Sequence, residues 1–171
     1  TLTEHDGISS RVTRWSYLAT GEVNTITTGF GTPEATTITL GYDDARRLTR
    51  ISDSLGNTVE YTLDTEGNRI DEKAFDAGGM LKKQLSRSFD IYNRLDSRIQ
   101  ANESVDYDFA ADGTLARQTD GNNVITDYRY DTLKRLTQVT RDLDGNDPAT
   151  ANATTVYDYD TQDRLTSVTD P

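Results

Sequence analysis

Cysteine is absent from the 171 residues, which excludes disulfide frameworks and thiolate-ligated zinc or iron–sulfur centres. The single histidine, His5, rules out multi-histidine metal centres, and in a polar terminal segment it has no repeated partner with which to act as a base. No apolar run approaches the ~20 residues that a membrane-spanning helix needs. Positive charge is scarce as well: 18 Lys and Arg stand against 29 Asp and Glu, a net charge of −11. The doublets Arg46-Arg47 and Lys82-Lys83 are isolated, so nothing local offsets the acidic surplus, which repels phosphate backbones and anionic lipid. Neither nucleic-acid binding nor membrane insertion is expected. Apolar residues make up 33% of the chain; counting glycine the share reaches about 40%, below the ~45–50% usual for a compact globular domain. A thick buried core is therefore not expected. The polar start Thr1-Leu-Thr-Glu-His-Asp6 has neither an initiator Met nor a secretory signal, so the chain reads as a segment of something longer.

What the sequence does have is a repeat. The clearest copies are Tyr128-Arg-Tyr-Asp-Thr-Leu-Lys-Arg-Leu-Thr-Gln-Val-Thr140 and Tyr157-Asp-Tyr-Asp-Thr-Gln-Asp-Arg-Leu-Thr-Ser-Val-Thr-Asp170. Looser copies begin near Trp15, Leu40, Tyr61, Arg87 and Tyr107. The recurring positions are Tyr17, Tyr42, Tyr61 with Leu63, Phe89, Tyr107 with Phe109, Tyr128 with Tyr130 and Tyr157 with Tyr159. Beyond the turn, Leu48, Leu136 and Leu165 recur, and Gly67 and Gly113 mark the turn itself. Residues 1–171 thus form one repeat region of about seven degenerate copies, each about 24 residues long.

Turn chemistry gives the repeat its strands. After each aromatic pair comes a four-residue step with Asp first and Gly or a polar residue fourth, as in Asp64-Thr-Glu-Gly67 and Asp131-Thr-Leu-Lys134. This is the signature of a type I turn leading into a hairpin with a bulge. A second turn follows about ten residues on, at Asp53-Ser-Leu-Gly56, Asp76-Ala-Gly-Gly79 and Asp120-Gly-Asn-Asn123. Two turns per period mean two antiparallel strands per period, about fourteen in all. Val59, Tyr61 and Leu63 share one face, as do Val124, Thr126, Tyr128 and Tyr130. On the return strand Leu136/Val139, Leu165/Val168 and Leu48/Ile51 are three apart, a helical spacing read here as strand with a bulge because Thr and Val dominate. The expected fold is all-β: tandem antiparallel hairpins forming a curved ribbon one layer thick, each copy leaning on its neighbours.

The motif Tyr-x-Tyr-Asp-x-x-x-Arg-Leu-Thr-x-Val-Thr-Asp, nearly whole at Tyr157–Asp170, resembles the YD repeat of RHS (rearrangement hot spot) proteins. The resemblance covers nearly the whole chain. It implies a segment of a large extracellular or toxin-related polypeptide in which hairpin strips spiral into a hollow shell around a C-terminal effector. It also implies an extracellular or cell-surface location, with the enclosed effector as partner. The family's autoproteolytic core is not seen before Pro171. Departures from the motif include Leu40, Leu63 and Arg87 at aromatic positions, and Arg46, Asn93, Lys134 and Asp163 in place of the turn glycine. They leave the fold reading intact and put regular strand pairing near residues 80–106 in question.

Candidate chemistry is thin. Asp142, Asp144, Asn146 and Asp147 offer oxygen ligands suited to a hard cation. The spacing of a helix-loop-helix calcium loop is not met, and a polar hairpin loop explains the same residues. Carboxylates recur at turns in every copy, whereas an active site is a single constellation, so no catalysis and no cofactor are expected. The nine Tyr and Trp15 could stack on a glycan, but packing between hairpins is the plainer reading. The leading expectation is a structural wall module. Its rival is an adhesive or filament-forming repeat that binds glycan or self-associates through sheet edges.

Overall fold

The computed structural model describes residues 2–5, 10–142 and 153–171. Among them every regular element is a strand, and fifteen strands pair antiparallel in chain order. They fall into two compact units, Thr1–Ser86 and Arg87–Pro171.

The first unit contains β1 (Leu2–His5), β2 (Ser10–Tyr17), β3 (Val23–Thr28), β4 (Thr36–Tyr42), β5 (Leu48–Asp53), β6 (Thr58–Leu63), β7 (Arg69–Phe75) and the start of β8 (Leu81–Phe89). The second continues from the end of β8 through β9 (Leu95–Gln100), β10 (Glu103–Phe109), β11 (Leu115–Asp120), β12 (Ile125–Tyr130), β13 (Leu136–Asp142), β14 (Ala153–Tyr159) and β15 (Leu165–Thr169). Each unit is one layer of meandering hairpins. No hydrophobic side chain among the described residues is fully buried.

The three-residue spacing on the return strands has a direct cause in the register. Tyr130 faces Leu136 and Tyr128 faces Val139, so partners two apart on one strand meet partners three apart on the other. Thr137 is the extra residue. The same offset makes Thr166 extra between the partners of Tyr159 and Tyr157, and Thr49 extra between those of Tyr42 and Leu40. A bulge leaves its extra residue outside the ladder, so its side chain can bond a carbonyl of the partner strand. In these three copies the bulged Thr hydroxyl donates to it: Thr49 to Gly41 O at 3.4 Å, Thr137 to Arg129 O at 3.2 Å, Thr166 to Asp158 O at 3.0 Å. The Thr of the Arg-Leu-Thr motif is thus a plug for the bulge.

The two faces of the strands differ in kind. One carries Tyr107, Tyr128 and Tyr130, close enough that burial, followed by the two neighbouring rings, pushes the Tyr128 phenol up. The other carries cross-strand polar pairs. Ser16 pairs with Thr25 at 2.6 Å and Thr27 with Thr37 at 2.8 Å, while Arg117 binds Asp127 through two nitrogens at 2.7 and 3.2 Å.

Pairing in the segment 80–106, which the departures from the motif put in question, is complete on both sides of the region apart from one register shift at Lys82. β8 pairs with β7 from Asp71↔Ser86 to Phe75↔Leu81, and β9 pairs with β10. What differs there is the turn. Gln100 faces Glu103 across only Ala101 and Asn102, at φ 51° and 67°, a two-residue type I′ hairpin with none of the usual glycine. That tight turn shortens the local period, and the ten positions between β13 and β14 lengthen a later one.

If the Thr hydroxyls plug the bulges, Thr137→Val and Thr166→Val should each cost about 0.5–1.5 kcal/mol, and the Ser variants should recover most of it. Urea unfolding followed by circular dichroism measures the difference. Val variants as stable as the parent would mean that the bulge carbonyls are served by water.

Candidate functional site: the clasped turn edge

Alternate turns within each unit share one edge. In the first unit these are residues 18–22, 43–47 and 64–68; in the second, 90–94, 110–114, 131–135 and 160–164. All have the same backbone pattern. The first residue's amide donates to the carbonyl of the fifth, and the fourth residue's amide donates to the carbonyl of the first, as in Asp131 N to Arg135 O and Lys134 N to Asp131 O, each 3.0 Å. The fourth residue must then take a left-handed conformation. Gly67 and Gly113 do so at φ 95° and 89°, while Arg46, Asn93, Lys134 and Asp163 hold φ 62–64° in place of glycine.

The first-position Asp closes the loop with its side chain. Asp131 Oδ1 accepts from the amides of Leu133 (2.9 Å) and Arg135 (3.0 Å), and its Oδ2 accepts Arg135 Nε at 2.7 Å. Asp43, Asp90 and Asp160 repeat the arrangement with Arg47, Arg94 and Arg164; Asp64 uses Asn68 instead. These contacts hold the carboxyls below the ordinary aspartate range. For Asp43, Asp131 and Asp160 the largest influence is the amide of the arginine four residues on, working against partial desolvation.

The same arginines reach the next copy. Arg47 Nη1 donates to Asp64 O at 2.7 Å. Arg135 Nη1 lies 2.7 Å from Asp163 Oδ1 and 3.4 Å from Asp160 O, and its guanidinium sits 4.7 Å from the centre of the Tyr159 ring. Arg94 stacks on Phe109 at 4.3 Å. The aromatic answers in turn, because Tyr159 donates its hydroxyl to Leu136 O at 2.9 Å and Tyr42 to Val23 O at 2.8 Å. The Arg135 clasp therefore joins a turn, the following turn and the ring between them, while Arg47 reaches the next turn alone and Arg94 the next ring alone. The left-handed residues add links that glycine could not make: Lys134 Nζ donates to Asp112 O at 2.6 Å, and Arg46 meets Glu22 at 3.4 Å.

The predicted repeat positions converge on this edge. Tyr42, Phe109, Tyr130 and Tyr159 face Leu48, Leu115, Leu136 and Leu165 beside their turns, and Leu63 stands at the same place opposite Arg69. Tyr61 carries Arg69 over its ring at 4.0 Å. Tyr107, Tyr157 and Phe89 are half-buried, whereas Tyr17 is 62% exposed. The Arg at the fifth turn position was legible as a repeated residue, yet its reach to the next copy was not. Of the cation-loop candidates, Asp142 ends β13 and is buried, while Asp144, Asn146 and Asp147 lie outside the described residues.

No protein-family model matches the sequence, and no curated protein does. Solved structures do share the fold. The chain is similar to part of the Photorhabdus luminescens Tc holotoxin pore carrying a mutant TccC3, at 15% identity and a TM-score of 0.53, over 94% of this chain and 11% of that one. It is similar also to the TcdB2–TccC3–Cdc42 crystal structure, at 14% identity and a TM-score of 0.53, over 94% and 10%, and to TcdB2–TccC3 itself at 15% identity and 0.52. The chain spans about a tenth of the length of these relatives. The likeness is one of fold.

Two outcomes test the clasp. Arg135→Ala should lower the thermal midpoint by a few degrees and Arg164→Ala by much less, since the Arg164 guanidinium, 72% exposed, meets only Asp160 among the described residues. Equal losses would show that the contact to the next copy adds nothing. The depressed turn carboxyls also set an acid limit. Their folded values lie below the unfolded ones, so their contribution is present above the unfolded value of about 3.9 and fades as pH falls through the folded values. Stability by urea midpoint should be level above about pH 5 and drop below about pH 4, and Asp131→Asn should flatten that drop.

Proposed function

We propose that this chain is a non-enzymatic wall segment of a hollow β-shell that encloses a polypeptide, such as a toxin effector, in an extracellular or cell-surface protein. The observation that carries the reading is a sheet one layer thick with no fully buried hydrophobic side chain among the described residues. A compact enzyme domain builds its site on a packed core, whereas a wall needs only lateral cohesion. The clasped turns supply that cohesion copy by copy. The fold likeness to Tc toxin structures that include TccC3 supports the same reading.

The mechanism is steric. A surface rich in Thr, Ser, Tyr and paired charges, its exposed Leu55, Ile91 and Leu133 set at separate turns, grips an unfolded guest weakly, while the continuous strand ladder keeps proteases and folding partners out. The acidic surplus, net −11, keeps the wall solvated and discourages edge-to-edge association.

The complete parent polypeptide should protect its C-terminal segment from added protease, and a version cut within the repeats should leave that segment open to digestion. Digestion at the same rate in both would end the proposal. Ordered filaments of the isolated 171 residues in electron microscopy would instead favour an adhesive or fibrous role.

A further inference from the structure

In the first unit, apolar side chains of β4–β7 line a shallow groove. Ile51 faces Val59, Val59 faces Ala74 and Ala74 faces Lys83, so one apolar row crosses β5, β6 and β7 and ends on a cation in β8. Ile38 and Phe75 complete the groove, whose volume is about 200 Å³, and Asp53 lies at its β5 end. Ala74, the smallest side chain of the row, leaves room between Val59 and Lys83. Ile38 is 36% exposed, and Ile51, Val59, Ala74 and Phe75 are half-buried, so the row is reachable from solvent.

The charges at the two ends differ in their freedom. The Asp53 carboxylate is taken up by its own turn: Oδ1 accepts from Leu55 N at 3.0 Å and Asn57 N at 2.8 Å, and Oδ2 accepts from Asn57 Nδ2 at 2.7 Å. Lys73 and Lys82 are likewise engaged, by Asp71 at 2.7 Å and Asp76 at 2.8 Å. Lys83 is exposed and meets no carboxylate among the described residues. In a chain of net charge −11 it is a free cation at the end of an apolar row. A peptide lying across that row would leave its amides and carbonyls unpaired, because the strands beneath use theirs on one another. An unbranched apolar chain has no such groups, and an anionic end complements Lys83 while Asp53 repels it.

From Ile51 to Lys83 the row crosses three strand spacings, about 14 Å. We propose that it binds the anion of a free aliphatic carboxylic acid of about eight to twelve carbons, its chain along Ile51, Val59 and Ala74 and its carboxylate at the Lys83 ammonium. The open groove leaves one side of the chain in water, so affinity rises about twofold per methylene, half of the free-energy gain that full burial gives.

The test uses the 171-residue chain and sodium decanoate below its micelle concentration, followed by NMR shifts of the Ile51 and Val59 methyls. Those shifts should saturate, while the methyls of Val139, which faces Tyr128 in the second unit, stay unmoved. Octanoate should bind about fourfold more weakly, and decylamine at least about tenfold more weakly. Lys83→Gln, at an exposed position, should fold as the parent does by circular dichroism and weaken decanoate by about tenfold. Absence of saturation, equal movement of Val139, octanoate or decylamine binding as tightly as decanoate, or unchanged binding by Lys83→Gln would each overturn the proposal.

Discussion

The bond between a turn carboxylate and the arginine four residues on is the constraint from which most of this structure follows. A five-residue loop joining two strands must satisfy its inner amides, and Asp at the first position does so from within. Once Oδ1 holds the amides, Oδ2 faces outward along the edge, where Arg47, Arg94, Arg135 or Arg164 can meet it. That meeting fixes one side of a planar, five-donor group. In Arg47 and Arg135 the other side then points at the following turn, where a backbone carbonyl waits. A local closure has become a link between copies without any added residue.

Such links matter because, beyond the strand ladders, no packed core among the described residues joins the copies. With no interior to fill, the apolar contribution per copy is confined to half-covered rings and their aliphatic partners. The remaining cohesion comes from the strand ladders, the hydroxyl pairs of the polar face and the clasps. Stability in each unit then accumulates between neighbours and tolerates variable loops, because a longer loop at the far edge disturbs no packed centre. The two-residue turn at Ala101-Asn102 and the long connection after Asp142 coexist in one unit for this reason.

Much of the fold was legible because its signals are local. Alternating apolar positions, Asp at turn starts and Gly at left-handed positions each report a backbone state within a few residues. The three-residue spacing of Leu136 and Val139 looked helical only because a bulge adds Thr137, and Thr recurring there was the readable clue. Other features were hidden for physical reasons. Arg46, Lys134 and Asp163 seemed mere losses of glycine, yet each side chain meets a neighbouring copy more than twenty residues away, a distance no local pattern encodes. The Ala101-Asn102 turn lacked its usual glycine, so the regularity of the strands beside it went unseen.

The contrast between Glu22–Arg46 and Arg135–Asp163 shows what the repeat conserves. Both pairs join the fifth residue of one turn to the fourth residue of the next, with the charges exchanged. An ion pair is indifferent to which partner carries which sign, so a copy can reverse its residues and keep the bond. Stacking is not indifferent, since a ring face attracts a cation and repels an anion. Charge reversal therefore preserves the clasp while stripping the ring of its cover, and a cavity beside Tyr42 is the geometric remainder of that exchange. A sheet built this way can lose residue-level likeness and retain its pairing, and the fold is indeed shared with solved structures at 14–15% identity while no family model matches the sequence.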